Sequence, residues 1–104
     1  MHDVARTAAV LQEVARERLR QIERGFTTQH DDQHTYGELA DAAACYALNQ
    51  GCETYCPAPR TWPWSLTFWK PKTRRTDLLR ATAMLVAEIE RLDRAQDRAD
   101  KPDR

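Results

Sequence analysis

The chain carries no surplus of either charge: Lys+Arg 16 stand against Asp+Glu 16 in 104 residues. A generic nucleic-acid binder carries a basic excess, so that class is excluded. No apolar run approaches the roughly 18 residues of a membrane span, so no membrane partner is expected. The opening MHDVARTAAV lacks the charged-then-apolar pattern of a secretory leader, which predicts a cytoplasmic protein. Cysteine is sparse and odd in number: Cys45, Cys52 and Cys56. That count makes no disulfide framework, and free thiols in a reducing compartment are expected. Four of the five prolines fall within residues 51–72, so long helices are permitted everywhere else. No complete catalytic motif is present, and no residue is assigned as catalytic.

What is present is helical. A mean hydropathy of -0.77 goes with abundant Arg, Glu and Ala. One all-α domain is expected over residues 1–97, followed by a solvated tail at 98–104. Val4, Ala8, Leu11, Val14, Leu19 and Ile22 recur at helical spacing, which predicts a helix over 3–24, capped by Asp3 and closed by a left-handed Gly25. FTTQHDDQH, residues 26–34, has turn formers and no helical period, so it reads as a loop. Thr35 with Glu38 spells a capping box for a second helix over about 36–50, ended by Gly51. Leu39, Ala42, Ala43, Tyr46 and Ala47 form its buried stripe, and its alanines predict close approach of a neighbouring helix. A third helix over 74–97, capped by Thr73 or Thr76, places Leu78, Leu85, Ile89 and Leu92 on one face. Leu79, Met84 and Val86 widen that face, which predicts packing on the core and on a subunit interface.

Between the last two helices lies GCETYCPAPRTWPWSLTFWKPK, with all three tryptophans. Each buried aromatic hides roughly 150–250 Å², so Trp62, Trp64, Leu66, Phe68 and Trp69 predict an ordered arm draped over the helices. A short strand or single turn fits residues 64–69. Charge is segregated here. Asp31, Asp32, Glu38, Asp41 and Glu53 make residues 26–56 acidic; Arg60, Lys70, Lys72, Arg74 and Arg75 make 57–75 basic. The two stretches either pair internally or leave a basic rim for phosphates.

Three constellations bear on chemistry. Asp31 and Asp32 are hard oxygen donors suited to Mg²⁺ or Mn²⁺; the plainer alternative is a hydrated loop whose acids bond nearby backbone N–H groups. His30-x₃-His34 with Cys52-x₃-Cys56 supplies the types of a zinc set, in the reverse of the usual order. Tryptophans beside Arg60, Lys70 and Lys72 serve either as a core plug or as a platform that stacks a base and holds its phosphates.

YGELADA and TDLLRATAMLVAEIERLD resemble the all-α nucleoside triphosphate pyrophosphatases, the MazG-like proteins. That family holds Mg²⁺ with an E-x-x-E pair on one helix and an E-x-x-D pair on a later one. Glu38 matches the second glutamate and Asp77 the closing aspartate. The other two positions are Thr35 and Arg74. The resemblance implies metal candidates Asp31, Asp32, Glu38 and Asp77, with Mg²⁺ as the cofactor of a pyrophosphohydrolase. Arg74 opposes a metal and favours a bare phosphate, which implies binding without efficient hydrolysis. On residues alone, Glu38 is equally a cap and Asp77 a first-turn acid on a helix dipole. Over residues 13–95 the layout also resembles small phage and prophage proteins of unassigned function.

These features predict a three-helix protein with a Trp/Pro-rich arm, associating as a homo-oligomer. The function expected is a phage-encoded accessory protein that binds a nucleotide or a host protein, one of a defence system included. Candidate ligand-binding residues are Asp31, Asp32, Glu38, Asp77, Arg74, Trp64, Trp69 and Lys70.

Overall fold

A computed structural model describes residues 3–49 and 56–101. Four α-helices appear, where three are expected from the sequence: α1 (Val4–Glu23), α2 (Thr28–Asp32), α3 (Glu38–Leu48) and α4 (Arg74–Asp100). No strand occurs among the described residues. Asp3 caps α1 by accepting from the Arg6 backbone N–H at 2.9 Å. The end of α1 is a paired turn. Phe26 N–H reaches the Gln21 carbonyl and Gly25 N–H reaches that of Ile22. Gly25 has φ 108°, a conformation that L side chains resist.

The sequence reading failed at α2. A five-residue helix is too short to show a period, and Thr27 starts it by accepting from the His30 N–H. The capping box also fails. Gly37, at φ 81°, occupies the N-cap of α3, and no side chain caps there. Glu38 instead turns back to accept from the Tyr36 N–H at 2.6 Å. α3 stops at Leu48, and Gly51 lies outside the described residues. α4 starts where expected, with Thr73 accepting from the Thr76 N–H, and continues three residues past the expected 97.

α3 lies against α4. Ala42, Ala43, Cys45, Tyr46, Trp62 and Ala81 form the core cluster, and Trp64, Trp69 and Met84 pack on it. Small side chains on both helices allow this approach, and the tryptophan arm covers it, as the sequence predicts. α3 and α4 run antiparallel. The Arg74 guanidinium donates to the Ala47 and Asn49 carbonyls at the end of α3, and Asn49 donates to Asp77 near the start of α4. A single 3₁₀ turn at Leu66–Phe68 satisfies the expectation for 64–69. Leu66 and Phe68 are exposed, contrary to the burial expected of them.

The apolar face of α4 is the larger correction. The side that meets the other helices carries Asp77, Arg80, Ala81, Ala83, Ala87 and Arg91. Leu78, Leu85, Ile89 and Leu92 are 39%, 46%, 58% and 52% exposed. α1 touches α4 through its second half, around Val14 and Arg18, while residues 3–12 are all exposed.

The cysteine expectation is corrected in part. Cys45 is a free, buried thiol, whereas Cys56 is disulfide-bonded. Cys52 lies outside the described residues. No helix among them is long and apolar enough to cross a membrane.

Candidate functional site

The acidic candidates are drawn into structural bonds. Asp31 Oδ2 accepts from Arg18 at 2.8 Å, in an ion pair with almost no solvent contact. Arg18 also reaches Glu90 at 3.0 Å and the Phe26 carbonyl at 3.3 Å. Asp32 receives Arg94 at 2.9 Å and Arg98 at 3.5 Å. The Arg94 hydrogen bond holds the Asp32 carboxyl below its ordinary value of 3.8, against the opposing effect of burial; the charges of Arg94, Arg98 and Arg91 add to it. Asp77 accepts from the Lys72 N–H at 2.8 Å and from Asn49 at 3.3 Å. Among the described residues no ion pair joins the acidic loop to the basic arm. The loop pairs with α1 and the far half of α4, and Arg75 pairs with Glu13 of α1.

The four metal candidates do not converge. Asp77 sits beside Asn49 at the C-terminal end of α3, and Glu38 opens that helix. An eleven-residue helix is about 16 Å long, so these two carboxylates lie at opposite ends of α3. Among the described residues no three His, Cys, Asp or Glu side chains are placed to hold a metal ion. The zinc set also fails, because a disulfide-bonded Cys56 offers no thiolate. Arg74 clamps the end of α3 through carbonyls. Trp69 stacks on Tyr46 with ring centroids at 4.8 Å and donates to the Cys56 carbonyl.

A cleft of about 290 Å³ lies between α1, the arm and α4. Of the candidates from the sequence, it takes in Asp31, Trp64 and Lys70. Its walls are aromatic: Phe26, Tyr46, Trp62, Trp64 and Phe68. Trp62 is fixed by its indole N–H to the Ser65 carbonyl at 3.0 Å and packs edge-on against Trp64 at 5.5 Å. The buried Nε1 of Trp64 has no hydrogen-bond partner among the described residues. The polar lining is mostly cationic: Arg18, Arg20, Arg24, Lys70 and Arg80 against Glu17 and Asp31. Arg18 is held by Asp31 and Glu90, and Arg20 by Glu17 at 2.9 Å. Arg80 donates to the Lys70 carbonyl and lies over the Tyr46 ring. Arg24 and the Lys70 ammonium make no ion pair among the described residues, and both are exposed.

Phe26 and Arg24, which flank the helix stop at Gly25, were not among the site residues expected from the sequence. The signal for Phe26 lay in that stop, because a tight turn redirects the next side chain onto the neighbouring elements.

Beside the cleft stand His30 and His34. His34 Nδ1 lies 3.0 Å from Glu38 Oε2, and His30 Nδ1 lies 3.3 Å from Asp31 Oδ1. The two Nε2 atoms face each other at 3.2 Å. His34 packs on Trp64 with centroids at 5.4 Å, and Phe26 meets His30 edge-on at 5.0 Å. Burial raises the Glu38 carboxyl, but hydrogen bonds from His34 and from the Glu38 and Tyr36 backbone outweigh it, and the group lies below its ordinary 4.5.

No family model, no curated protein and no solved structure matches the chain.

Proposed function

We propose that this is a non-catalytic binding protein whose ligand is a nucleotide, its base held between the aromatic walls and its phosphate on Arg24 and Lys70. The observation that carries this is the coincidence of an aromatic cleft with two uncommitted cations at its edge. Aromatic rings accept any base by its π-face, while a guanidinium grips phosphate oxygens in a two-pronged hydrogen bond. At 290 Å³ the cleft is close to the small end of ligand pockets, roughly 300–1,000 Å³, which suits a single nucleotide. The unpartnered indole of Trp64 gives the wall a donor that a ligand acceptor would satisfy once the ring shifts. The likeness to small phage proteins fits an accessory binding role.

The rival is a Mg²⁺-dependent pyrophosphohydrolase using Asp31, Asp32, Glu38 and Asp77. Against it, each of these carboxylates already has a cationic or backbone partner, and Asp77 is a helix length from Glu38.

The test is a titration of nucleoside mono-, di- and triphosphates, followed by tryptophan fluorescence and calorimetry at low salt. Quenching with a dissociation constant in the micromolar range is expected. Arg24→Ala and Lys70→Ala should each weaken binding about tenfold, the effect of losing roughly 1.4 kcal/mol. If no nucleotide quenches the tryptophans or raises Tm, the proposal is wrong. Release of pyrophosphate with Mg²⁺, abolished by Glu38→Ala, would establish the rival instead.

A further inference from the structure

The histidine pair next to the cleft poses an electrostatic problem. Both Nδ1 atoms face carboxylate oxygens, which accept hydrogen bonds and cannot donate them. Asp31 also accepts from the Arg18 guanidinium, and Glu38 from the Tyr36 backbone N–H. Each Nδ1 therefore carries a proton. In the neutral rings the lone pairs are left on Nε2, and these two atoms oppose each other at 3.2 Å. Two lone pairs at that distance repel unless a cation stands between them.

We infer that His30 and His34 form a binding site for a divalent transition-metal ion of the zinc class, ligated through both Nε2 atoms. Zinc–imidazole bonds of about 2.0–2.1 Å at a tetrahedral angle hold the two nitrogens roughly 3.3–3.4 Å apart, so the observed separation needs almost no adjustment. A carboxylate on the far nitrogen is the usual companion of a ligating histidine. It fixes the ring and raises its basicity, and both rings have one. Nitrogen donors select zinc, copper, nickel or cobalt over Mg²⁺ and Ca²⁺; Asp31 and Glu38, two of the magnesium candidates, act here only on the far nitrogens. Water completes the coordination. The four-residue spacing works although α2 ends at Asp32, because Gln33 keeps a helical conformation and carries the turn on to His34.

The site also has a structural consequence. It joins α2 to the segment that leads into α3, and His34 rests on Trp64. Zinc held there would fix one wall of the cleft, yet zinc binding itself needs no nucleotide.

The experiment is calorimetric titration of metal-free full-length protein with ZnCl₂, in the absence of any nucleotide. One zinc per chain is expected, with an increase in Tm. His30→Gln and His34→Gln should each abolish that stoichiometric event while leaving the far-ultraviolet circular dichroism unchanged. Glu38→Gln should weaken zinc binding 10–100-fold, as loss of such a companion does. Should a histidine variant fail to fold, imidazole NMR of the unaltered chain decides the matter. Zinc must shift the His30 and His34 resonances and spare His2. Failure of zinc to bind stoichiometrically, or binding that survives His30→Gln in a folded protein, overturns the inference and leaves a proton shared between the rings.

Discussion

Asp31 and Asp77 have no exposed surface, and with Cys45 they are the largest fully buried side chains among the described residues. Aspartate is among the residues least often found inside, so each must be held by partners that replace its water. Arg18 does this for Asp31, and the Lys72 backbone with Asn49 does it for Asp77. The same partners explain why a metal-site reading of these acids was attractive from sequence and fails in space. A one-dimensional pattern shows an acid but not the cation 13 residues away. Asp31→Leu should leave the buried Arg18 charge without its closest partner and destabilise the fold by about 3–5 kcal/mol, read from urea midpoints. Glu90 still holds one edge of Arg18, which places the expected loss near the lower figure. Arg18→Met combined with Asp31→Leu should recover most of it, because an apolar pair of similar volume has no charge to desolvate.

At the scale of elements, legibility followed length and period. α1, α3 and α4 were readable because each repeats its apolar residues over several turns, and Asp3, Gly25 and Thr73 mark ends by local chemistry that needs no tertiary information. α2 was not, since one turn carries no period. Thr35 misled because its motif names a cap whose geometry the positive-φ Gly37 supplies instead. The role of the arm was readable from its tryptophans, but the cleft was not, because its cations come from the end of α1, the arm and α4. The join between α1 and α4 has a testable pH dependence. Arg75 bonds Glu13 through both carboxylate oxygens and holds that carboxyl below its ordinary 4.5, against slight burial. A depressed folded pKa gives stability that is present above the unfolded value and lost as pH falls through the folded one. Glu13→Gln should therefore lower Tm slightly at pH 7 and leave it unchanged near pH 2. The pair is exposed, so the difference should shrink in high salt.

The whole molecule is longer than its residue count requires. Its radius of gyration is 15.5 Å, against about 13 Å for a compact chain of this size, and its extents are 56 × 40 × 24 Å. The length comes with apolar surface that nothing in one copy covers. Leu78, Leu85, Ile89 and Leu92, at steps of seven, four and three residues, share one side of α4 over roughly 21 Å. The homodimer expected from the sequence would use this seam with the two α4 helices antiparallel about Leu85. Leu78 then meets Leu92 of the second copy, and Leu85 meets its own equivalent. The charges agree with this register. Lys72 flanks one end of the seam, and Asp93 and Asp97 flank the other, all exposed. The antiparallel register sets the two ends side by side, whereas a parallel one stacks like on like. A two-fold contact of this kind uses one patch twice and closes on itself. Light scattering behind gel filtration should accordingly give about twice 12.0 kDa at micromolar concentration. Leu85→Glu places two carboxylates at the two-fold axis and should yield a folded monomer with unchanged circular dichroism. A monomeric unaltered chain at 100 µM, or a Leu85→Glu variant of undiminished mass, would remove the seam as the interface.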